Sequence, residues 1–262
     1  MGIELRKRAQ RIRKRVLEMI YRAQAPHVGS ALSCVELLTV LYGLVDIEKI
    51  RRQEMDRDRV ILSKGHAIAA QLSALCEYGL LGEEVTVEFC RNGSSYMENT
   101  SPYTPYIEMG SGSLGQGISY GAGIALGMRL QDCRNNYAYV IVGDGELNEG
   151  QCWEGIIQAG RMKLKHLTVL VDANGLAGIG EICADTDWEN AFQAFGFQAV
   201  SVDGHDVDAL KKSLQTEHDK PLAVICRTTK GKGISFMENE NDWHYRPISQ
   251  KDYERIKSEL GS

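Results

Sequence analysis

The sequence of 262 residues lacks a Cys-x-x-Cys pair, a long apolar run and an excess of basic charge. Its seven cysteines are odd in number and scattered, which argues against a zinc site or a disulfide framework and favours free thiols in a reducing compartment. No stretch approaches the roughly 18 apolar residues of a membrane span, and no apolar segment follows the basic N-terminus as in a secretory signal. We therefore expect a cytoplasmic protein with no membrane partner.

The net charge of −5 gives no general signal for binding polyanions. The N-terminal stretch "ELRKRAQRIRKRVLEMIYRAQ" is a local exception, because it is strongly basic. The spacing of its apolar residues predicts an amphipathic helix; these residues are Leu5, Ile12, Val16, Met19 and Ile20. A solvated helix face is the main interpretation, with contact to a membrane or nucleic acid as the alternative. We expect no nucleic-acid partner.

Helical patterns alternate with short runs rich in valine, isoleucine and alanine, without a linker or a repeat. Strands are predicted at Val60–Leu62, Tyr137–Val142, Leu167–Val171, Phe197–Val202 and Leu222–Arg227. Helices are predicted over residues 3–24, 34–44, 66–79, 83–91, 113–132, 151–163, 187–195, 206–216 and 250–259. This order predicts one α/β domain over residues 1–262, a doubly wound, mainly parallel sheet with helices on both faces.

Polar side chains follow two of the predicted strands, at the point where each strand ends. Gly143-Asp144-Gly145 follows the strand at 137–142, and Asn174-Gly175 follows the strand at 167–171. If these strands are neighbours, Asp144 and Asn174 converge at the carboxyl edge of the sheet, where ligands bind. Their hard oxygen atoms suit Mg²⁺, or Ca²⁺, shared with a diphosphate. The alternative is two ordinary turns, since Asp-Gly and Asn-Gly usually form turns.

Other familiar motifs are missing or out of context. The G-x-G-x-x-G pattern at Gly110–Gly115 follows "SPYTPYIE" instead of a buried strand, which argues against a dinucleotide site. No serine sits in a nucleophile elbow of the Gly-x-Ser-x-Gly type, because the match at Gly117–Gly121 falls inside the helix predicted over residues 113–132 instead of at a turn after a strand. No His-Glu-x-x-His motif occurs. His27, His66 and His244 lie in glycine-flanked or polar loops, where a single histidine is usually solvated. Three of them in such loops favour a polar site. The helix predicted over residues 113–132 carries glycines that permit close packing against another helix or subunit.

Several segments together identify a family resemblance. "GDGELNEGQCWEG", "DANG", "LSKGHA", "GSGSLGQGIS", "VDGHD" and "TKGKGISFMENENDWH" resemble transketolase, in order, from about residue 10 to residue 247. The resemblance covers only the N-terminal, thiamin diphosphate-binding (PP) half of a full transketolase. It therefore implies one subunit of a split enzyme, with a partner chain that supplies the pyrimidine-binding half in an α2β2 assembly.

The resemblance also implies roles for individual residues. The expected metal ligands are Asp144, Asn174 and the carbonyl of Leu176. The residues expected to bind thiamin diphosphate are His66, Gly112, Leu114, Gly143, Asp144, Gly145, Glu149, Asn174 and His244. His27 and His244 are the expected catalytic residues, with His27 facing the substrate as a hydrogen-bonding or proton-transfer group. The implied reaction transfers a two-carbon ketol unit from a ketose to an aldose.

Two departures from the family pattern concern the substrate. Where the family usually has Gly-His-Pro with a substrate-facing histidine, this region reads "NTSPYTPYIE" and contains no histidine. After His244, Tyr245 and Arg246 replace the usual small residue. These changes suggest an altered donor or acceptor, possessing an acidic or branched group, and predict that Tyr103 and Arg246 influence substrate preference.

Two other functions remain open at this point. One keeps the cofactor and changes the reaction, as in a subunit of a deoxyxylulose-phosphate-synthase-like or 2-oxoacid-decarboxylating enzyme. The other is a non-catalytic assembly role, against which the intact Asp144 and Asn174 argue. The surroundings of "GSLGQGIS" and "WHYRP" favour transketolase.

Overall fold

Five parallel strands form the central sheet of the computed structural model, which describes residues 2–133, 135–182 and 186–261. The strand order is β1-β2-β3-β7-β6, and a separate antiparallel ribbon pairs β4 with β5. The strands are β1 (Arg59–Leu62), β2 (Ala138–Gly143), β3 (Leu167–Ala173), β4 (Leu176–Ala177), β5 (Gly180–Glu181), β6 (Gln198–Asp203) and β7 (Leu222–Arg227). The predicted α/β class and parallel sheet are confirmed.

Helices connect the strands and cover the sheet. They are α1 (Gly2–Ala23), α2 (Val28–Ser33), α3 (Val35–Tyr42), α4 (Ile47–Arg51), α5 (Ile68–Glu77), α6 (Val85–Glu88), α7 (Gly117–Leu130), α8 (Gly150–Arg161), α9 (Trp188–Ala194), α10 (Val207–Leu214) and α11 (Gln250–Leu260). Short 3₁₀ turns lie at Gly65–Ala67, Glu146–Asn148 and Asn241–His244.

The inner strands β2, β3 and β7 are buried on both faces, which explains their continuous apolar character, whereas the edge strand β6 is only partly buried. In β2, Tyr139 and Ile141 point into the core that α1, α3 and α5 share, whereas Val140 and Val142 point into the core beneath α7 and α8. The same alternation continues in β3 and β7. Because successive side chains of a strand point to opposite faces, each strand contributes to both cores.

The glycines of α7 divide between two sides of the helix. A Cβ atom on Gly121 would lie 2.4 Å from Val140 Cγ2, so glycine is needed for α7 to lie against the sheet. Gly155 of α8 similarly allows close contact with Ser119 of α7, since its Cβ would lie 2.9 Å from the hydroxyl oxygen. A Cβ on Gly123 would meet nothing within 4 Å. The α7 glycine that close packing requires thus faces the sheet, and packing of the other α7 glycines against a helix or subunit stays a prediction.

Most of the basic charge of α1 is paired within the chain. Arg6 contacts Asp208 at 2.6 Å, Arg11 contacts Glu77 at 2.7 Å and Arg15 contacts Glu83 at 2.5 Å. The apolar face of α1 is buried in the core as its spacing predicts. These contacts support the interpretation of a solvated helix face over a surface for membranes or nucleic acids. Among the described residues, no helix is long and apolar enough to span a bilayer.

The sequence-based boundaries differ from the structure mainly in the glycine-rich and short elements. The helix predicted from residue 113 begins at Gly117, because Gly115 has φ +89° and the preceding residues form a loop. The helix predicted over 83–91 is limited to Val85–Glu88. Helices α2 and α4 and the β4–β5 ribbon were not predicted. The described cysteines are free thiols, and Cys183 lies outside the described residues.

Candidate functional site

A cavity of about 440 Å³ opens at the carboxyl edge of the sheet, among the segments that follow β1, β2 and β3. Every residue that the sequence assigned to a site lines it: His27, His66, Gly112, Leu114, Gly143, Asp144, Gly145, Glu149, Asn174, Leu176 and His244. The structure therefore brings the predicted residues together, although they are spread over more than 200 positions of the chain. The individual roles of these residues remain predictions.

Asp144 and the loop after β3 are tied to one another directly. β2 and β3 are parallel neighbours with Gly143 opposite Asp172, so their ends meet as expected. The Gly175 N–H donates to Asp144 Oδ2 at 2.6 Å, and the Gly145 N–H donates to Oδ1 at 2.8 Å. Asn174 Oδ1 accepts from the Leu176 N–H at 3.1 Å, which shapes the same loop.

The Asp144 carboxylate is buried without a close cationic side chain. It is 2 % exposed, and this burial raises its pKa to about 6. A buried carboxylate with only backbone N–H partners is stabilised when a cation joins it. The donor set of one carboxylate, one amide and one nearby carbonyl fits Mg²⁺ or Ca²⁺.

A buried ion pair lies beneath the cavity floor. Lys64 Nζ donates to Asp172 Oδ2 at 2.5 Å and to the Ser30 carbonyl at 3.0 Å. Asp172 also accepts from Ser33 Oγ at 2.5 Å and from the Thr228 hydroxyl. Burial alone would raise the pKa of Asp172, but Lys64 holds it below its usual value. This pair joins the ends of β1, β3 and β7 below the site.

Glu146 holds the glycine-rich loop against the end of β2. Its Oε1 accepts from the Gly115 N–H at 2.8 Å and from the Ser63 hydroxyl, and its Oε2 accepts from the Gly143 N–H at 3.1 Å. Gly115 must be glycine here, because φ is +89° and a Cβ would lie 2.8 Å from Glu149 Cβ. Glu146 therefore sets the position of the segment that carries Gly112 and Leu114.

The three loop histidines form one cluster on a second wall of the cavity, next to Gly178. The ring centroids of His27 and His244 are 5.0 Å apart, and those of His66 and His244 are 5.3 Å apart. Burial lowers the pKa of each imidazole, to about 3 for His244 and well below its usual value for His66. The charges of Lys64 and Lys230 lower both of these pKa values further.

Lys230 lies buried behind this wall, and the sequence analysis did not predict it. Its Nζ donates to Asn241 Oδ1 at 2.8 Å and to His244 Nδ1 at 3.0 Å. Burial and then Lys64 lower its pKa to about 8. Lys230 forms no ion pair with a carboxylate of the described residues, so an anion close to it and to the buried imidazoles would be stabilised there. The motif "TKGKG" contains this lysine, but no local pattern distinguishes it from a solvated one.

A second buried charge network fixes the turn that carries Lys230. Arg13 Nη2 donates to Glu36 Oε1 at 2.5 Å, and Arg13 Nε donates to the Lys232 carbonyl at 2.9 Å. His205 Nδ1 lies 3.0 Å from Glu36 Oε2, while its Nε2 accepts from the Thr229 N–H at 2.8 Å. Helices α1 and α3 thereby hold the turn after β7 in place.

The two residues predicted to alter substrate preference do not line this cavity. Tyr103 is 85 % exposed and lies against Pro102 and Ile107 in a separate depression, and Arg246 pairs with Asp252 at 2.9 Å. Their influence on substrate preference stays a prediction. Asn99 and Tyr245, from the same two segments, line the cavity instead.

We predict that an anionic ligand changes the titration of the histidine cluster. In the ligand-free chain, His244 should stay neutral between pH 5 and 8, since burial lowers its pKa to about 3, and His66, whose pKa burial lowers well below its usual value, should be neutral at pH 7. Magnesium pyrophosphate should raise both pKa values, because a nearby anion favours imidazolium. Histidine NMR titrations of the chain with and without this ligand measure the change. Unchanged titration curves despite saturating ligand would contradict the placement of an anion at this wall.

Comparisons with known proteins agree with the geometry of the site. Residues 5–262 match the family model described as "Transketolase, thiamine diphosphate binding domain". The chain is 33% identical over 261 residues to an apulose-4-phosphate transketolase subunit of Phocaeicola vulgatus, covering 96% of this chain and 92% of the relative. It is 35% identical over 266 residues to the 6-deoxy-6-sulfo-D-fructose transketolase subunit SqwG of a Clostridium species, covering 98% and 96%.

Solved transketolases share the fold. The Campylobacter jejuni enzyme superimposes with a TM-score of 0.90 at 27% sequence identity, covering 100% of this chain and 43% of that enzyme. The chain thus spans less than half of this transketolase but nearly all of the two subunit relatives. The sequence-based identification as an N-terminal subunit of a split transketolase is confirmed at the level of family and enzyme class. The chain belongs to the transketolase family, in which it corresponds to the thiamine diphosphate-binding N-terminal part.

Proposed function

We propose that this chain is the diphosphate-binding subunit of a two-chain transketolase that transfers a two-carbon ketol unit from a ketose to an aldose. The observation that carries the proposal is that one cavity brings two groups of side chains together. The first wall presents the buried Asp144 carboxylate beside Asn174, and the second presents His66 and His244, with Lys230 bonded to His244 behind them. A cation site and an anion site in one cavity match the two charges of a metal–diphosphate group.

The first wall is assigned to the metal. Asp144, Asn174 and the Leu176 carbonyl would hold Mg²⁺, with Ca²⁺ as a possible substitute. The Gly175 N–H already fixes Asp144 Oδ2 at 2.6 Å, so the carboxylate is oriented before the metal arrives. Gly145 allows the segment after Asn174 to lie close to the Asp144 turn, since a Cβ atom added to Gly145 would lie only 3.0 Å from Ala177 Cβ.

The remaining lining residues are assigned to the other parts of the cofactor. His66, His244 and Lys230 would contact the diphosphate, while Gly112 and Leu114 would face the aminopyrimidine. Gly143, Gly145 and Glu149 would complete the pocket, and α8, which begins at Gly150, turns its N-terminus toward it. Thiamin diphosphate, when bound, supplies the carbon nucleophile that attacks the ketose carbonyl.

His27 and His244 are assigned to the substrate. His27 is held in the left-handed region at φ 69°, and its N–H donates to the His244 carbonyl at 2.8 Å. Its lowered pKa leaves the imidazole neutral near pH 7, so the ring can accept a proton from a substrate hydroxyl and return it. A neutral His244 can act as a hydrogen-bond partner in the same step.

The partner and the substrate class are part of the proposal. A C-terminal transketolase chain would supply the pyrimidine-binding half, in a cytoplasmic α2β2 assembly, and residues 1–262 would form a single domain. The two subunit relatives are named for a phosphorylated and a sulfonated sugar. We therefore infer a ketose donor with a phosphate or another acidic group at its far end.

The test compares the purified chain with the reconstituted pair. With thiamin diphosphate, Mg²⁺, a ketose phosphate and an aldose, the chain of residues 1–262 alone should show no ketol transfer, because the proposal assigns the pyrimidine-binding half to the partner chain. Adding the partner chain should produce transfer that saturates at an equimolar ratio.

Significant transfer by the single chain would refute the two-chain proposal. Pyruvate consumption with release of CO₂ by the pair, in preference to ketose phosphates, would instead indicate a decarboxylating enzyme. A pair that binds neither cofactor nor Mg²⁺ would indicate a non-catalytic assembly role.

A further inference from the structure

Glu98 lies beside the proposed substrate-binding histidine. Its Oε1 is 3.1 Å from His27 Nδ1, at an angle that does not make a well-aligned hydrogen bond. The side chain of Glu98 is 40% exposed, whereas that of His27 is 14% exposed. The neighbouring Asn99 lines the same cavity. A carboxylate therefore stands at the outer edge of the site, with room for a ligand to approach it.

The position of His27 is fixed, so the contact with Glu98 is set mainly by the fold. The His27 N–H is bonded to the His244 carbonyl, and the ring packs against those of His66 and His244 at 5.2 and 5.0 Å. The Tyr245 ring adds a fourth contact at 5.7 Å. A ligand that reaches His27 thus also meets Glu98.

The positive charges of the cavity lie on its inner side and have partners of their own. Lys64 is 2% exposed and pairs with Asp172, and Lys230 is 1% exposed and bonds Asn241 and His244. No arginine is among the described residues that line this cavity. Glu98 is consequently the dominant charge near His27 at the outer side, where it repels anions and accepts hydrogen bonds from hydroxyls.

We propose that Glu98 determines substrate specificity: it binds the hydroxyl groups of an uncharged polyol segment next to the reacting carbonyl and rejects donors with an anionic group there. This inference rests on the proposed function. It also limits where an acidic group of the substrate can be, since a phosphate or sulfonate must lie several carbons away from the carbonyl. The far end of the donor then extends beyond the reach of Glu98.

The test uses two small ketol donors with the reconstituted pair. Erythrulose is uncharged, whereas hydroxypyruvate carries a carboxylate directly on its carbonyl carbon. The Glu98→Gln variant keeps a hydrogen-bond acceptor and removes the charge. It should raise kcat/KM for hydroxypyruvate relative to erythrulose by about tenfold, because a like-charge repulsion is lost. The Glu98→Ala variant should also lower kcat/KM for erythrulose by about tenfold, because the acceptor is lost.

The matched control is Glu88→Gln, which removes a carboxylate of similar exposure, 44%, that pairs with Arg91. It should leave the ratio of the two donors unchanged. Thermal stabilisation by Mg²⁺ and thiamin diphosphate should be the same in all three variants, which shows that they fold and bind cofactor. An unchanged donor ratio in Glu98→Gln, with an active wild-type pair, would overturn this inference alone. A wild-type pair inactive with every ketol donor would overturn the proposed function and this inference with it.

Discussion

The Asp144→Asn variant is expected to lose cofactor-dependent thermal stabilisation and ketol transfer together. The substitution keeps the shape of the side chain, but it removes the only carboxylate of the proposed metal site and places an amide donor against a backbone N–H, of Gly145 or Gly175. Losing an outer-shell partner of a metal typically costs about 10- to 100-fold in affinity, so losing this ligand should cost more. Differential scanning fluorimetry with and without Mg²⁺ and thiamin diphosphate measures the effect.

The dependence of this stabilisation on pH provides an independent check. Burial raises the Asp144 pKa from 3.8 to about 6, so the folded chain retains a proton that the unfolded chain has released. The contribution of Asp144 to stability without ligand therefore falls as the pH rises from about 4 to about 6. A bound cation pairs with the carboxylate and removes that loss. The gain in Tm from Mg²⁺ and cofactor should thus increase across this range in the wild type and not in the variant.

Asp219→Asn provides a matched control, because Asp219 is an exposed aspartate that does not line the cavity. It should retain the full stabilisation at every pH. Equal stabilisation of the Asp144→Asn and wild-type chains would show that Asp144 is not a metal ligand, whatever happens to activity.

The Lys64→Met variant should lose about 3–5 kcal/mol of unfolding free energy, which is typical when one partner of a buried ion pair is removed. The change leaves the Asp172 carboxylate fully buried with only hydroxyl donors, from Ser33 and Thr228. Because this pair joins three strand ends, cofactor binding should weaken as well. Urea unfolding followed by circular dichroism gives the loss of stability.

A double-mutant cycle separates the ion pair from the loss of packing. Lys64→Met combined with Asp172→Asn should cost clearly less than the two single changes added together, since no unpaired charge remains. Lys49→Met is the matched control: Lys49 also contacts an aspartate, Asp56, at 2.5 Å, but both side chains are exposed. It should be nearly neutral, as surface ion pairs usually are. Additive losses at Lys64 and Asp172 would mean that their pairing adds nothing to stability.

The sequence predicted the parts of the fold and site that depend on local patterns. Valine- and isoleucine-rich runs indicated buried parallel strands, and parallel strands place their carboxyl ends at one edge, which brought Asp144 and Asn174 together. Short elements were missed because they have few residues to establish a period. The five-residue helix α4 is defined mainly by its cap, in which Asp46 accepts from the Glu48 and Lys49 N–H groups.

The partners of the site residues could not be predicted, because they are distant in the sequence. Glu146 accepts a hydrogen bond from the Gly115 N–H, 31 residues away in the chain, and Lys64 pairs with Asp172, 108 residues away. In the sequence alone, a buried lysine or glutamate cannot be distinguished from an exposed one, because its partner is not known. The same limit applies to the two segments that depart from the family pattern: the sequence pointed to Tyr103 and Arg246, whereas the structure shows that Asn99 and Tyr245 of these segments line the cavity.

The contact between Arg13 and the Lys232 carbonyl, 219 residues apart in the chain, bears on how the protein is made. Helix α1 is synthesised before the turn that it holds, and all five strands of the central sheet lie between them in the chain. The turn that carries Lys230 can therefore dock only after these strands have been made, and until then the part of α1 around Arg13 lacks its cover. Contacts of such separation slow folding and prolong exposure of apolar surface. Cofactor binding can consequently protect this protein only late in its folding.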